Sequence, residues 1–309
     1  MEKVIVIVGP TAVGKTALSV QLAKEVNGEI ISGDSMQVYR QLDIGTAKVT
    51  PAEMQDIPHH LLDICELTEM YSVAEFQKQA RQKITEITKR GHIPIVVGGT
   101  GLYIQALLYD FKLGSSTSVT PEQEKIQHEL AVLEQTHTPE EIWQQLQACD
   151  PLAAKTIHVN NTRKVLRALE VYRTTGESIV APKENPVALY DYFLIGLNTD
   201  RHVLYERINI RVEQMMQQGL EQEARQLLAY PQAHAWQGIG YKEFIPYFQA
   251  QQTQEETIDA IKMSSRRYAK RQLTWFRNRL SPHWFDLVRH PEQYETIKKQ
   301  VQHWMEETI

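Results

Sequence analysis

The sequence predicts an α/β protein: a P-loop NTPase-like parallel sheet core, interrupted by a helical insertion domain and finished by a helical C-terminal tail. Three observations predict it. The apolar, β-branched runs 4–8 and 93–97 show no polar alternation, as strands covered on both faces do. Helical patterns separate these runs, which is the rhythm of a parallel sheet. The rhythm changes near residue 111, and from Pro121 to about Thr175 only helical patterns follow.

The elements follow in order. Residues 4–8 form a strand that runs into Gly9, and a helical pattern then extends to about Val26. Residues 29–32 form a second short strand ending at Gly33-Asp34, and 60–64 has weak strand character. Ser72-Val73-Ala74-Glu75 has the capping-box pattern and starts a helix that runs to about Lys89 and stops at Gly91. The strand 93–97 ends in Gly98-Gly99-Thr100-Gly101. Residues 111–118 and 181–186 read as linkers. Between them, helices start at Thr138, another capping box, and near Asn161, with Gly176 as a stop. Strand character returns at 191–197, Asp200 caps a helix that Gly219 stops, and a long helix runs from about Glu255 to Leu280. The expected organisation is 1–113 as the first part of the core, 114–187 as the insertion, and 188–309 as core completion and helical tail.

Composition narrows the function classes. The chain has 309 residues, 33 Lys+Arg against 38 Asp+Glu, and a net charge of −5, which argues against a histone-like coating protein but permits a local basic patch. Cys65 and Cys149 are the only cysteines, so there is neither a disulfide framework nor a CxxC zinc pair. No run approaches the ~20 apolar residues of a membrane span, and 4–8 is too short for a signal sequence. The expectation is a cytoplasmic protein without membrane contact.

Gly9-Pro10-Thr11-Ala12-Val13-Gly14-Lys15-Thr16 fits G-x-x-x-x-G-K-[ST] between a buried strand and a helix. Such a loop wraps a di- or triphosphate with backbone N–H groups; Lys15 adds a positive charge and the Thr16 hydroxyl can hold Mg²⁺. Motor and switch NTPases carry an Asp at the end of a buried strand, but 93–97 ends in glycines. Asp34, after the second strand, suits a base in group transfer, or alternatively a helix cap. Arg207 and Arg211, one turn apart, could reach a diphosphate or be ordinary surface arginines.

Residues 262–279 contain Lys262, Arg266, Arg267, Lys270, Arg271, Arg277 and Arg279 and no acid. At helical spacing Arg266, Arg267, Lys270, Arg271 and Arg277 fall within an arc of roughly 140°, with Tyr268, Ala269, Leu273, Trp275 and Phe276 opposite. One face would pack and the other meet phosphate; the plainer reading is a solvated charged face, although those usually mix signs. Arg163, Lys164, Arg167 and Arg173 form a second basic cluster on the insertion, and two such clusters could grip one nucleic acid from two sides. His59, His60, Asp63 and Cys65 alternate across a short strand and so read as packing rather than a metal site.

Gly9–Thr16, Gly33-Asp-Ser-Met-Gln-Val-Tyr39, Pro58-His-His-Leu61 and Gly98-Gly-Thr-Gly-Leu-Tyr103 together resemble the tRNA dimethylallyltransferase (tRNA isopentenyltransferase) family. So do Asn161 with Arg163, Arg167-Ala-Leu-Glu170, Gly238-Ile-Gly-Tyr-Lys242 and Ala269-Lys-Arg-Gln-Leu-Thr-Trp-Phe-Arg277, in the family's order from residue 4 to about 286. One departure is His158-Val159-Asn160, where many members have His-Pro-Asn. The cysteine count leaves no room for a C-terminal zinc finger, so the resemblance is to the bacterial type.

The resemblance implies transfer of a dimethylallyl group from dimethylallyl diphosphate to N6 of the adenine 3′ of the anticodon, with Mg²⁺. Gly9, Thr11, Ala12, Val13, Gly14, Lys15, Thr16, Arg207 and Arg211 would then hold the diphosphate. Asp34 would be the base, Thr100 would contact the adenine or the bridging oxygen, and Lys15 would stabilise the leaving group. The tRNA would meet Asp34, Ser35, Met36, Gln37, Thr100, Asn161, Thr162, Arg163, Lys164 and Arg167. It would also meet Gln237, Gly238, Ile239, Gly240, Tyr241, Lys242, Arg266, Lys270, Arg271 and Arg277. The partner is the anticodon stem-loop, and the protein is expected to act as a monomer. A P-loop kinase of a small metabolite or nucleotide, prenyl transfer to a free adenine nucleotide, and an RNA-binding ATPase remain as alternatives. The kinase leaves the basic helix and the insertion without a role.

Overall fold

In the computed structural model one six-stranded sheet, all of its pairs parallel, has the order β3-β2-β4-β1-β5-β6. The model describes residues 1–110, 120–181 and 187–307. The first half of the core comprises β1 (Lys3–Val8), α1 (Lys15–Val26), β2 (Gly28–Ser32), α2 (Pro51–Met54), β3 (His59–His60), α3 (Val73–Lys89), β4 (Ile93–Gly98) and α4 (Gly101–Leu108). Next come α5 (Pro121–Thr136), α6 (Pro139–Cys149), α7 (Pro151–Thr156) and α8 (Thr162–Thr175). The chain returns through β5 (Asp191–Leu197), α9 (Arg201–Gln218), α10 (Leu220–Gln226), α11 (Phe244–Phe248), α12 (Gln254–Arg279), β6 (His283–Phe285) and α13 (Gln293–Glu306). Two compact units result: Met1–Leu113 with Val187–Ile309, and Gly114–Pro186.

The central strand shows why the sheet is covered on both faces. Val4, Val6 and Val8 point into a cluster with Phe76, Ile84, Ile104 and Phe276, while Ile5 and Ile7 point into another with Leu18, Leu22, Ile208 and Val301. All five are fully buried, so the strand has no polar face to alternate with. The insertion has its own core of Ile126, Leu130, Leu133, Ile142, Leu146, Val165 and Leu169. Thr138 and Asn161 cap α6 and α8 as their positions suggest, Thr138 with the full capping box.

Several elements differ from expectation. The strand expected at 60–64 is only His59–His60, because Leu61 (φ 61°) and Asp63 (φ 53°) are left-handed and end the extended run. β6 lies in a stretch that reads as helical; three residues carry too little periodicity to be seen. The linker expected at 111–118, and 182–186 of the second, lie outside the described residues.

The segment after β2 is held by two buried charges. Glu223 on α10 accepts the backbone N–H groups of Asp43 (2.7 Å), Ile44 (2.8 Å) and Gly45 (2.8 Å), and the Tyr241 hydroxyl at 2.8 Å. Lys48 donates to the Tyr39 carbonyl (2.8 Å) and to Asp43 and Asp63 (each 2.6 Å). Orphaning a buried N–H costs about 1–3 kcal/mol, so Glu223→Ala, with partial rehydration, should destabilise the fold by about 3 kcal/mol. Urea unfolding measures this; an unchanged midpoint would show that the carboxylate holds nothing.

Candidate active site

The parallel register brings three strand ends to one edge: Val8 is level with Gly98, and Ser32 with Val97. Open α/β sheets bind ligands at this edge. The Gly33 N–H bonds the Val97 carbonyl at 2.7 Å, and a Cβ on Gly98 would run into the Gly33 backbone. The loops after β2 and β4 are therefore in backbone contact.

The loop after β1 is shaped by three left-handed residues, Gly9 (φ 150°), Ala12 (φ 64°) and Gly14 (φ 100°). A Cβ on Gly9 would also approach the Leu197 carbonyl to 2.5 Å. Val13 is buried in the core, so only its backbone faces the loop. Lys15 Nζ donates to the carbonyls of Gly9 (3.0 Å) and Pro10 (2.7 Å). Two arginines from α9 lie against the same loop: Arg207 donates to the Ala12 carbonyl at 2.9 Å and Arg211 to Thr11 Oγ1 at 3.4 Å. Burial and then Arg211 push the Lys15 ammonium down to about 8, against the opposing pull of Asp34. Burial likewise lowers Arg211, again opposed by Asp34. Lys15, Arg207 and Arg211 outnumber the carboxylates that act on them, Asp34 and, on Arg211, Glu53, which leaves the site short of negative charge.

Asp34 caps a local turn, close to the capping reading, and leaves its second carboxylate oxygen open. Oδ1 accepts the Met36 N–H at 2.9 Å, a local turn cap, and its charge acts on Lys15 and Arg211. Oδ2 has no hydrogen-bond partner among the described residues. Thr100 Oγ1 accepts the Ser35 N–H at 3.1 Å, which ties it to the Asp34 turn. A phosphate cradle and a free carboxylate oxygen within electrostatic reach of it suit transfer of a group from a phosphate ester to an acceptor that loses a proton.

Mg²⁺ takes a few hard oxygens, keeps several waters and usually comes with phosphate. Thr16 is exposed in the first turn of α1, and among the described residues no three His, Cys, Asp or Glu side chains converge. The residues fit an ion held at Thr16 together with a diphosphate.

Other expected contact residues are placed differently. Gln37 spends its amide on the Thr46 and Ala47 carbonyls and accepts from Ser32, so it props the loop rather than reading a base edge. Tyr241 is 1% exposed, with its hydroxyl on Glu223; Gly238 and Gly240 are also buried, leaving Gln237 and Lys242 exposed and Ile239 between. Arg266 donates to Asn209 at 2.7 Å and lies over Tyr205, and Lys262 pairs with Glu213 at 2.8 Å, so both bind α9. Lys270 and Arg271 stay exposed with Arg267, and Arg277 is exposed over the Trp284 ring. On the insertion, Asn161 is the α8 cap, Arg167 is paired with Glu170 and Arg173 with Glu129. Arg163 and Lys164 are exposed there and Thr162 partly so. His60 is paired with Glu29 at 2.6 Å.

Two residues of the site carry no role assigned from the sequence, although Gln272 lies inside the Ala269–Arg277 stretch and Tyr268 directly precedes it. Gln272, 5% exposed, and Tyr268 sit on the inner face of α12, against Gly99 and Thr100. Their signal is angular: each lies opposite the basic arc, and a buried glutamine there demands partners.

The chain matches the family model for IPP transferase over residues 37–279. It is 58% identical to a tRNA dimethylallyltransferase of Enterococcus faecalis, over 99% of both chains, and 53% identical to one of Latilactobacillus sakei, also over 99% of both. Among solved structures it resembles the full-length tRNA isopentenylpyrophosphate transferase of Bacillus halodurans, with 46% identity, a TM-score of 0.75 and coverage of 99% of this chain and 97% of that one. A eukaryotic dimethylallyltransferase acting on tRNA matches with a TM-score of 0.81 and 33% identity, over 98% of this chain and 78% of that one. Matched by the family model over 37–279 and 58% identical to a relative over nearly the whole of both chains, this chain belongs to the IPP transferase family.

Proposed function

We propose that the protein transfers a dimethylallyl group from dimethylallyl diphosphate to N6 of the adenine 3′ of the anticodon in tRNA, releasing diphosphate. The observation that carries this reading is the phosphate loop joined through Gly33 and Gly98 to a carboxylate and a hydroxyl, with no further acid at the end of β4. It acts in the cytoplasm as a monomer with no obligate protein partner. Among the described residues no helix is long and apolar enough to cross a membrane.

The chemistry follows from the charges. The allylic C–O bond breaks and its electron pair leaves on the diphosphate, where Lys15, Arg207, Arg211 and the loop N–H groups meet the growing charge. The exocyclic amine is a poor nucleophile because its lone pair is delocalised into the ring. N6 forms the new C–N bond and its proton goes to the free oxygen of Asp34. Mg²⁺ at Thr16, when bound, adds further neutralisation of the diphosphate. Thr100 and the Asp34 turn hold the adenine edge, and the base leaves its stack to reach them. Arg267, Lys270 and Arg271 on α12, with Arg163 and Lys164 on the insertion, take backbone phosphates.

Labelled dimethylallyl diphosphate with Mg²⁺ and unmodified tRNA, with AMP as a parallel acceptor, tests the assignment: label enters tRNA. Asp34→Asn keeps the turn cap but loses the base, and should lower kcat by about 10²–10⁴ with little change in KM for tRNA. Label in AMP alone, or near-normal turnover by D34N, would contradict it.

The Lys15 charge gives a pH signature. A cation lowered to about 8 is charged below that pH and lost above it. Dimethylallyl diphosphate affinity should therefore weaken as pH rises from 7 to 9, approaching about tenfold per unit. Lys15→Met should bind weakly with no such step, which equilibrium dialysis would read.

On α12, replacing Arg267, Lys270 or Arg271 by Ala should each lower the slope of log K against log salt for tRNA by about 0.7–0.9. Arg266→Ala should leave that slope nearly unchanged, since its charge faces α9.

A further inference from the structure

The amide of Gln272 spans two loops that leave neighbouring strands. Its Oε1 accepts the Thr11 N–H at 3.0 Å, and its Nε2 donates to the Gly99 carbonyl at 3.0 Å. The first contact is inside the phosphate loop; the second is one residue before Thr100. Tyr268, one turn earlier on α12, lies beside both Gln272 and Thr100. The fit is close: Gly99 has no side chain, and a Cβ there would overlap Gln272 Nε2. Gly101 is equally bare against the Trp275 ring. The glycines after β4 thus admit the inner face of α12 rather than wrapping a phosphate.

We infer that Gln272 is a positioning residue whose carboxamide fixes the distance between the diphosphate cradle and the Thr100–Asp34 edge that holds the acceptor amine. This rests on the transfer reaction proposed above. Each loop keeps its own grip on its own substrate: Lys15, Arg207 and Arg211 on one side, Thr100 and Asp34 on the other. Severing the bridge leaves those grips in place but lets the reacting carbon and N6 drift apart. A displacement of about 1 Å can cost about a hundredfold in rate. The loss belongs in kcat and not in either KM.

The test is a double-mutant cycle in the full-length protein. Gln272→Met keeps the side-chain volume and removes both hydrogen bonds; Gly99→Ala keeps Gln272 and displaces it. Each should lower kcat at least about tenfold, with KM for dimethylallyl diphosphate and for tRNA within about threefold of the unaltered protein. Both changes break the same bridge, so Q272M/G99A should be no slower than the slower single variant. Thermal melting checks the fold, and if Q272M does not fold, G99A with its native glutamine carries the test. Retained kcat in a folded variant, losses confined to KM, or losses that multiply in the double variant would overturn the inference. The unaltered protein, run in parallel, separates the two claims: if it transfers no label, the function itself falls, whereas transfer with kcat unharmed in Q272M removes only the bridge.

Discussion

A Cβ on Gly98 would collide with the backbone of Gly33, and one on Gly33 would lie 2.9 Å from Ile104 Cδ1. The reactive edge depends on this close approach. β4 separates β1 from β2, so Asp34 could stand a full strand away from the phosphate loop. Because β2 and β4 both end on bare backbone, the Asp34 turn folds over the end of β4. Its carboxylate then acts on Lys15 and Arg211. Parallel pairing supplies the shared edge; the two glycines supply the last few ångströms.

That proximity has an electrostatic consequence. The chain as a whole is acidic, at −5, yet the loop gathers Lys15, Arg207 and Arg211, with Asp34 and Glu53 as the opposing carboxylates. Burial lowers both Lys15 and Arg211, so the site is destabilised while it holds no anion. A diphosphate relieves this strain, and each added unit of negative charge on the leaving oxygens relieves it further. In the proposed transfer such an arrangement would favour the broken C–O bond over the intact one, which is what differential binding of a transition state requires. Net charge speaks to solubility, and the location of charge speaks to chemistry.

Much of the fold is legible in the sequence because its signals are strong and local. The unbroken apolar run of β1 requires cover on both faces, and Thr138 and Ser72 announce helix starts through capping boxes the structure forms. The phosphate loop is legible because glycine spacing and the following lysine report backbone shape directly. What is not legible is set by tertiary contact. β6 is three residues long and exists only because β5 offers an edge. Arg266 and Arg271 fall within one basic arc, but Asn209 and Tyr205 claim the first and leave the second exposed. Gln272 lies within the Ala269–Arg277 stretch, but nothing in that stretch says that its amide joins two loops.

Tyr241 shows how a motif residue can matter to recognition without touching what is recognised. Its ring fills the space a side chain on Gly45 would need, at 2.6 Å, and its hydroxyl completes the ring of donors on Glu223. The same carboxylate carries the backbone of Asp43, Ile44 and Gly45, and Gln37 reaches into this turn through Thr46 and Ala47. Gly238 closes against Met36, where a Cβ would lie 2.7 Å from the methyl carbon. Two short motifs some two hundred residues apart in sequence are therefore halves of one support. Asp34 and Ser35 are held by it while remaining open to a substrate. Residues buried in such a support set its geometry, and the few left at its surface, Gln237 and Lys242 among them, are the exposed ones.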